Sequence, residues 1–516
     1  MQRHAYEQTA RGRSSAPVEP RPRAGLLSRL SVLRKRVSKR RAARKAQSLL
    51  GENDYEVVIV GGGFSGAYCA YELRKEFPEL KVVILEGDND LGGRLFSDDN
   101  DDNPYNMDEL GGMRIFPSVQ PRVAEMVTEM GCDLVPVKLE DSSNLFYYEG
   151  KRVRKGDFRL TDCGLTPKDF LQRCYDAYEE AMPEDAARPP LEREELCMLS
   201  LPAFLEKYGA SRADIKEFFS YSGYDIFSDE SVAASVFVQE GILYGPELDE
   251  DQHYVREGFE EVVKRMAKAS EAEVRLNAKV SAIAEPDAEG FSALSVRENG
   301  APVTLRAKRV IIGLPQDAAM KLAKRSPALT GERLDLICNA VKLIPLFKVF
   351  LEFDLPDSSD VWWREAGFKY GKSTTDLEVR QIHYYDREDL LCYASGKYAE
   401  YWDREFRANW RNAAHEVYDQ IKDMHGEHAA KAPEPIWDNT IFRFWNNGSH
   451  KWRKGVEIGA ALHTICHGGT SAMEPSQSPI LLVGDAFSTQ QGWVAGAIET
   501  SDLALVHVKA GLRVMQ

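Results

Sequence analysis

The stretch from Glu56 to Glu86 constrains this chain more than any other. It reads as an apolar strand (EVVIV, ending at Val60), a Gly-rich turn (Gly61 to Gly66), a helix-favouring run (AYCAYELRKEF) and a second apolar strand (KVVILE, ending at Glu86). That order is a βαβ unit, two parallel strands joined by a crossover helix. The turn fits GxGxxG: Gly61 permits the tight bend, Gly63 lets the backbone approach a pyrophosphate, and Gly66, after Ser65, lets the helix pack closely on the strand. Phosphates would sit at the positive end of that helix. Glu86 follows Gly66 by 20 residues, at a strand end where a carboxylate can bind ribose hydroxyls. Three glycines in a loop are a weak signal alone. The strand before them, the helix after them and the acid beyond point together to a bound dinucleotide.

Two further strings separate one dinucleotide from another. EGDNDLGGRLFS contains Gly92-Gly93-Arg94, and near the other end the strand ILLVG runs into Gly484-Asp485 and then QGWVAGAIETSDLA. Both resemble segments of the two-dinucleotide-binding flavoproteins of the amine oxidase superfamily. The resemblance implies FAD, with Gly93 and Arg94 along the diphosphate and Asp485, after Gly484, bonded to the ribityl or phosphate. It also implies that the helix starting at Gly492, Trp493 and Val494 faces the flavin. Gly112, Met113 and Arg114 of DELGGMRIFP, and Val280 of VRLNAKVSAI, complete the flavin contacts expected from it.

The substrate side follows from chemistry and from the same resemblance. A free amino acid carries a carboxylate, which demands a counter-charge, and Arg114 can supply a bidentate one. The string Gly371-Lys372-Ser373-Thr374-Thr375-Asp376-Leu377, followed by Tyr384-Tyr385, is similar to that of animal L-amino acid oxidases. Their pattern places Tyr393 as a hydroxyl donor to the substrate carboxylate and Lys348 as the lysine joined through water to the flavin. It places Gly492 as the carbonyl that orients the amine and Trp493 as an aromatic wall. Read without the family, Lys348 is a lone charge in the apolar run LFKVFLEF, either edge-exposed or functional. Trp445 is a second candidate for the wall or a core residue. Val456 falls where monoamine oxidases carry a flavin-linked cysteine, so non-covalent FAD is expected. The motifs do not place the histidine that the animal enzymes carry in their helical region, which leaves any active-site base there open.

The implied activity is FAD-dependent oxidation of an L-amino acid by O2 to a 2-oxo acid, ammonia and hydrogen peroxide. Two alternatives stay open: another flavin-dependent amine oxidase or an amino acid monooxygenase acting by oxidative decarboxylation, and a non-catalytic binder of the kind that escorts prenylated GTPases. The fold expected is α/β: a Rossmann-like FAD domain, discontinuous in sequence (54–115, 256–340 and 441–516), with an inserted mixed α+β substrate domain (116–255 and 341–440) that includes a helical subregion. At 43% hydrophobic residues the 516-residue chain can bury such a core, and no apolar run approaches the roughly 20 residues of a membrane span. Eight cysteines occur without a CxxC pair, so packed, reduced thiols are expected and no metal site.

Residues 1–50 form a separate regime, with 11 Arg and 3 Lys against Glu7 and Glu19 in a chain of net charge −15. Leu26, Leu30, Leu33 and Val37 could make a short amphipathic helix there. A targeting segment, a nucleic-acid or membrane-surface contact and an extension without a special role all suit such an arm. A secretory signal is disfavoured because no apolar h-region precedes a small-residue cleavage site, so a cytoplasmic location is expected. The expected partners are a small amino acid and O2, without nucleic acid, and a homodimer is left open.

Overall fold

In a computed structural model the residues described are 50–99, 107–138, 141–224, 233, 251–354, 361–368, 370–385, 387–471 and 478–515. The basic arm and its amphipathic stretch lie outside them. The βαβ unit is present as expected. Strands β1 (Asp54–Val60) and β2 (Val82–Leu85) are parallel neighbours joined by the helix Phe64–Glu76. Val57, Val58, Ile59 and Val60 are all buried because apolar clusters cover both faces of the strand, the pattern of a parallel sheet interior.

That first sheet draws its other strands from distant segments. β9 (Glu273–Arg275) adds to β2, and the long β12 (Ala301–Ile312) pairs in parallel with β1. The opposite edge of β12 carries β11 (Ser292–Glu298), itself paired with β10 (Ala278–Ile283), and then, further along, β18 (Ile480–Leu482) in parallel.

The second sheet runs β17 (Ile441–Trp452), β13 (Val341–Glu352), β16 (Asp389–Ser395), β15 (Gln381–Tyr384), β14 (Lys372–Thr375), β6 (Leu145–Tyr148) and β7 (Lys151–Arg154). All its pairs are antiparallel except β14 with β6. Here the boundary expected at residue 441 is corrected. Ile441–Trp452 pairs with β13 along most of its length, so the chain returns to the first sheet only at Ile480. The aromatic alternation of IFRFW suits an edge strand of either sheet, and pairing alone decides. A short pair joins β3 (Ser97–Asp99) to β4 (Met107–Glu109). A further small pair joins β5 (Leu134–Pro136) to β8 (His253–Val255).

The helix-favouring region 166–224 holds helices at Pro167–Ala181, Leu201–Lys207 and Arg212–Ser222, each started by a Thr or Ser that accepts from the third residue on. The helix Lys397–His425 covers one face of the second sheet, burying Trp402, Phe406, Val417 and Ile421 against it. Strand alternation then divides β13: Phe347, Val349 and Leu351 face that helix, while Lys348 and Phe350 face the other way. All eight cysteines are unpaired and six are buried. Among the described residues no helix is long and apolar enough to cross a membrane.

Candidate active site

The Gly-rich turn is built for close backbone approach. A Cβ at Gly66 would lie 2.0 Å from the Gly61 carbonyl oxygen, and one at Gly61, where φ is +107°, would lie 2.4 Å from that of Gly313. Gly63 differs: its nearest neighbour would be the Gly92 oxygen at 3.7 Å, so the turn is open there. Gly63 also starts the helix Phe64–Glu76 with no side-chain cap and no acid in the first turn, which leaves the amides of a positive helix end for an anion. The Gly92–Gly93 loop closes over this point through a bridge between Gly63 and Gly92. Glu86 accepts from the Gly62 amide at 2.6 Å and the Asp88 amide at 3.0 Å, and a carboxylate has further lone pairs for hydroxyls. Val280 lies on β10, which starts beside Glu86 where the Ala278 amide bonds the Glu86 carbonyl at 2.7 Å. These features fit a dinucleotide diphosphate and ribose.

Arg94 and Asp485, 391 residues apart in sequence, form an ion pair. Burial alone would raise the Asp485 carboxyl, but Arg94 and His450 outweigh it and hold the acid well below the usual carboxylate range. Asp485 also accepts from the Gly492 amide at 3.0 Å, so it ties the Gly93–Arg94 loop to the start of the last helix, Val494–Met515. Where donors to the diphosphate were expected from Arg94, the guanidinium is engaged with the closing motif. Lys451, on β17 beside His450, is fully buried with Nζ 3.5 Å from the Gln491 carbonyl, and burial pushes its ammonium down to about 7 against the pull of Asp485.

A lysine held this low has a consequence for stability. The unfolded chain binds its proton up to about pH 10.5 and the folded chain only up to about 7. The folded state is therefore penalised below pH 7 and recovers as pH rises through that window, by up to about 1.4 kcal/mol per unit. Lys451→Met is expected to flatten the rise in unfolding free energy between pH 7 and 9. Equal slopes in denaturant titrations of both proteins would refute this.

The segment Asp108–Phe116 is where the two sheets' functional groups meet. Its Gly112 amide bonds the Arg94 carbonyl at 2.9 Å. From the second sheet, Lys348 Nζ donates to the carbonyls of Glu109 (2.7 Å) and Gly111 (2.6 Å) and lies 3.2 Å from Met113 Sδ. The choice between an exposed and a functional Lys348 is thereby resolved in part: β13 is flanked by β16 and β17, and the residue is only 4% exposed. Burial lowers its ammonium from the ordinary lysine value, Arg114 adds to this and Glu109 opposes it. Tyr393 is its direct register partner on β16, and the ammonium stands 5.6 Å from the Tyr393 ring. Trp445 Nε1 donates to the Leu110 carbonyl at 2.7 Å, and Trp493 packs edge-on against Phe116 at 5.5 Å.

Arg114 donates through Nη1 to the Tyr224 hydroxyl at 2.9 Å, whereas among the described residues its buried Nη2 has no hydrogen-bond partner. Tyr224 stands edge-on to Tyr393, with ring centres 6.0 Å apart, and the Lys372 ammonium lies 4.3 Å from its ring. Sequence reasoning missed Tyr224, which directly follows Gly223, the residue that ends the helix Arg212–Ser222 with a φ of +68°. It also missed His383. Buried on β15, with Nε2 3.0 Å from Gln381 Oε1, this imidazole is held neutral by burial and by Arg114, Lys372, Lys348 and Lys155. A group so hard to protonate is a poor general base.

A nucleotide-type turn and a cluster of buried cations and phenols are thus joined through one loop. Residues 64–504 match the model of the family described as flavin containing amine oxidoreductase, and the protein belongs to that family. Among curated relatives, an uncharacterized protein of Acanthamoeba polyphaga mimivirus is 25% identical over 88% of this chain and 93% of its own length. L-amino acid oxidase Bs29 of Bothriechis schlegelii is 26% identical over 64% of this chain and 66% of the snake protein. Aplysianin-A of Aplysia kurodai is 23% identical over 91% and 93%. A solved putrescine oxidase bound to putrescine has a TM-score of 0.67 at 20% identity, over 89% of this chain and 99% of that one, a likeness of fold.

Proposed function

We propose that the protein is an L-amino acid oxidase that holds FAD without a covalent bond. The observation that carries this reading is Arg114, whose buried Nη2 has no hydrogen-bond partner among the described residues, in the loop that bonds both Arg94 and Lys348. A buried guanidinium left in this state costs stability unless a ligand completes it, and a planar carboxylate is the ligand that matches its donors. A diamine has no such group. Val456 in place of a cysteine supports a non-covalent flavin, and the relatives named as snake L-amino acid oxidases favour the same substrate class.

In this mechanism Arg114 and Tyr393 bind the substrate carboxylate, the Gly492 carbonyl accepts from the amine, and Trp493 walls the pocket against Phe116. When bound, the flavin supplies the hydride acceptor and the route of electrons to O2. The protein's part is to present the Cα hydrogen in one orientation, which converts an encounter into a positioned reaction. Lys348, its ammonium loosened by burial, can give or take a proton at Nζ beside the loop. Water then hydrolyses the imino acid to a 2-oxo acid and ammonia.

Purified protein mixed anaerobically with L-amino acids, D-amino acids and simple amines provides the test. Yellow protein bleached by L-amino acids alone, with peroxide and 2-oxo acid appearing in air, is the expected result. Bleaching by amines alone would make it an amine oxidase without carboxylate recognition, release of CO2 with an amide product would make it a monooxygenase, and protein that takes up no flavin would leave a binder.

A further inference from the structure

The reading of Arg114 as the carboxylate clamp leaves unexplained what holds the guanidinium itself. Arg114 lies in a loop, after Gly111 and Gly112, and a long side chain there has several rotamers available. Among the described residues, one side chain hydrogen-bonds it, Tyr224 at 2.9 Å from Nη1. That tyrosine is well placed to be a fixed point. It is 7% exposed and directly follows the Gly223 that ends the helix Arg212–Ser222. Its ring is held edge-on by Tyr393 and lies against the Lys372 ammonium, on a strand whose neighbouring residues Ser373, Thr374 and Thr375 are fully buried.

The donor count makes the arrangement useful. Each Nη carries two hydrogens, so one bond to Tyr224 leaves the second hydrogen on Nη1 and both on Nη2, enough for a two-pronged bond to a carboxylate. We infer that Tyr224 is a positioning residue for substrate recognition: its hydroxyl fixes the plane of the Arg114 guanidinium so that the fork meets the carboxylate of an α-amino acid, and thereby sets the preference for amino acids over amines. The inference rests on the amino acid reading above. Tyr224 acts through Arg114, so its loss weakens carboxylate binding and leaves the chemical step nearly intact.

The test uses the flavin-loaded enzyme and benzoate as a carboxylate probe, with binding followed by the change in the flavin absorption spectrum. Tyr224→Phe keeps the ring and its packing and removes only the hydroxyl. It is expected to weaken benzoate about tenfold and raise KM for L-amino acids by a similar factor, with kcat changed less than twofold and the melting temperature unchanged. In a double-mutant cycle with Arg114→Lys, which presents a point charge instead of a fork, the effect of Tyr224→Phe on benzoate is expected to shrink to under twofold. Wild-type affinity in Tyr224→Phe, or a full tenfold loss repeated in the Arg114→Lys background, would overturn the inference while leaving the amino acid reading in place. If the wild type neither binds benzoate nor oxidises amino acids, both fall together. Should Tyr224→Phe melt early, Tyr224→Gln, whose amide oxygen can still accept from Arg114, must recover benzoate binding for the inference to stand.

Discussion

Arg114→Ala is expected to lower kcat/KM for L-amino acids by about 100- to 1000-fold while the protein stays yellow. The size follows from the setting: losing one partner of a buried, hydrogen-bonded charge pair costs roughly 3–4 kcal/mol, because the other charge is left without compensation. In the complex that other charge would be the substrate carboxylate. Flavin should be retained because Gly61, Gly63, Glu86 and the Arg94–Asp485 pair do not depend on the Arg114 side chain. The loop should keep its course, since the Gly111 and Gly112 amides and the Leu110 carbonyl are bonded independently of it. Turnover of simple amines should change little. Steady-state kinetics on a matched amino acid and its decarboxylated amine would decide, and equal losses on both substrates would remove Arg114 from carboxylate recognition.

The second large effect is on the cofactor. Gly66→Ala is expected to give protein that takes up no flavin, because its Cβ would stand 2.0 Å from the Gly61 oxygen and 3.1 Å from Ile59 Cγ2. Backbone cannot yield as the end of a flexible side chain can, so the helix must shift away from β1, at a cost of about 3 kcal/mol. Gly63→Ala is the informative contrast. Its Cβ would meet nothing closer than 3.7 Å, so the fold should be retained, but the methyl group projects into the turn where a diphosphate would pass. Flavin content by absorbance and thermal melts of the two apoproteins should therefore separate them: Gly66→Ala low in both, Gly63→Ala low in flavin alone. Normal flavin uptake by Gly66→Ala would mean that the cofactor sits elsewhere.

Local motifs were legible in the linear chain because their parts touch within a few positions. The turn from Gly61 to Gly66 and the acid at Glu86 work through backbone geometry that a short run of residues dictates, and Arg114 declares its chemistry by the company of Gly111 and Gly112. The family, and with it the flavin, follows from those runs. Lys348 and Tyr393 are another matter. The resemblance named them, but whether they are neighbours depends on how β13 and β16 pair, and a slip of one residue would put the two side chains on opposite faces. Tyr224 had no local signature of chemistry, and the membership of Ile441–Trp452 in the second sheet was invisible for the same reason.

The sequence by itself thus determined the dinucleotide turn, the flavoprotein class and the presence of an arginine suited to a carboxylate. Only the tertiary structure decided that Arg114 is gripped by Tyr224, that Lys348 is buried on the carbonyls of Glu109 and Gly111, and that His383 is kept neutral. Backbone turns are set by short-range sterics, which residue type encodes directly. Burial, register and the charge of a side chain are set by partners that folding brings from a hundred or more positions away.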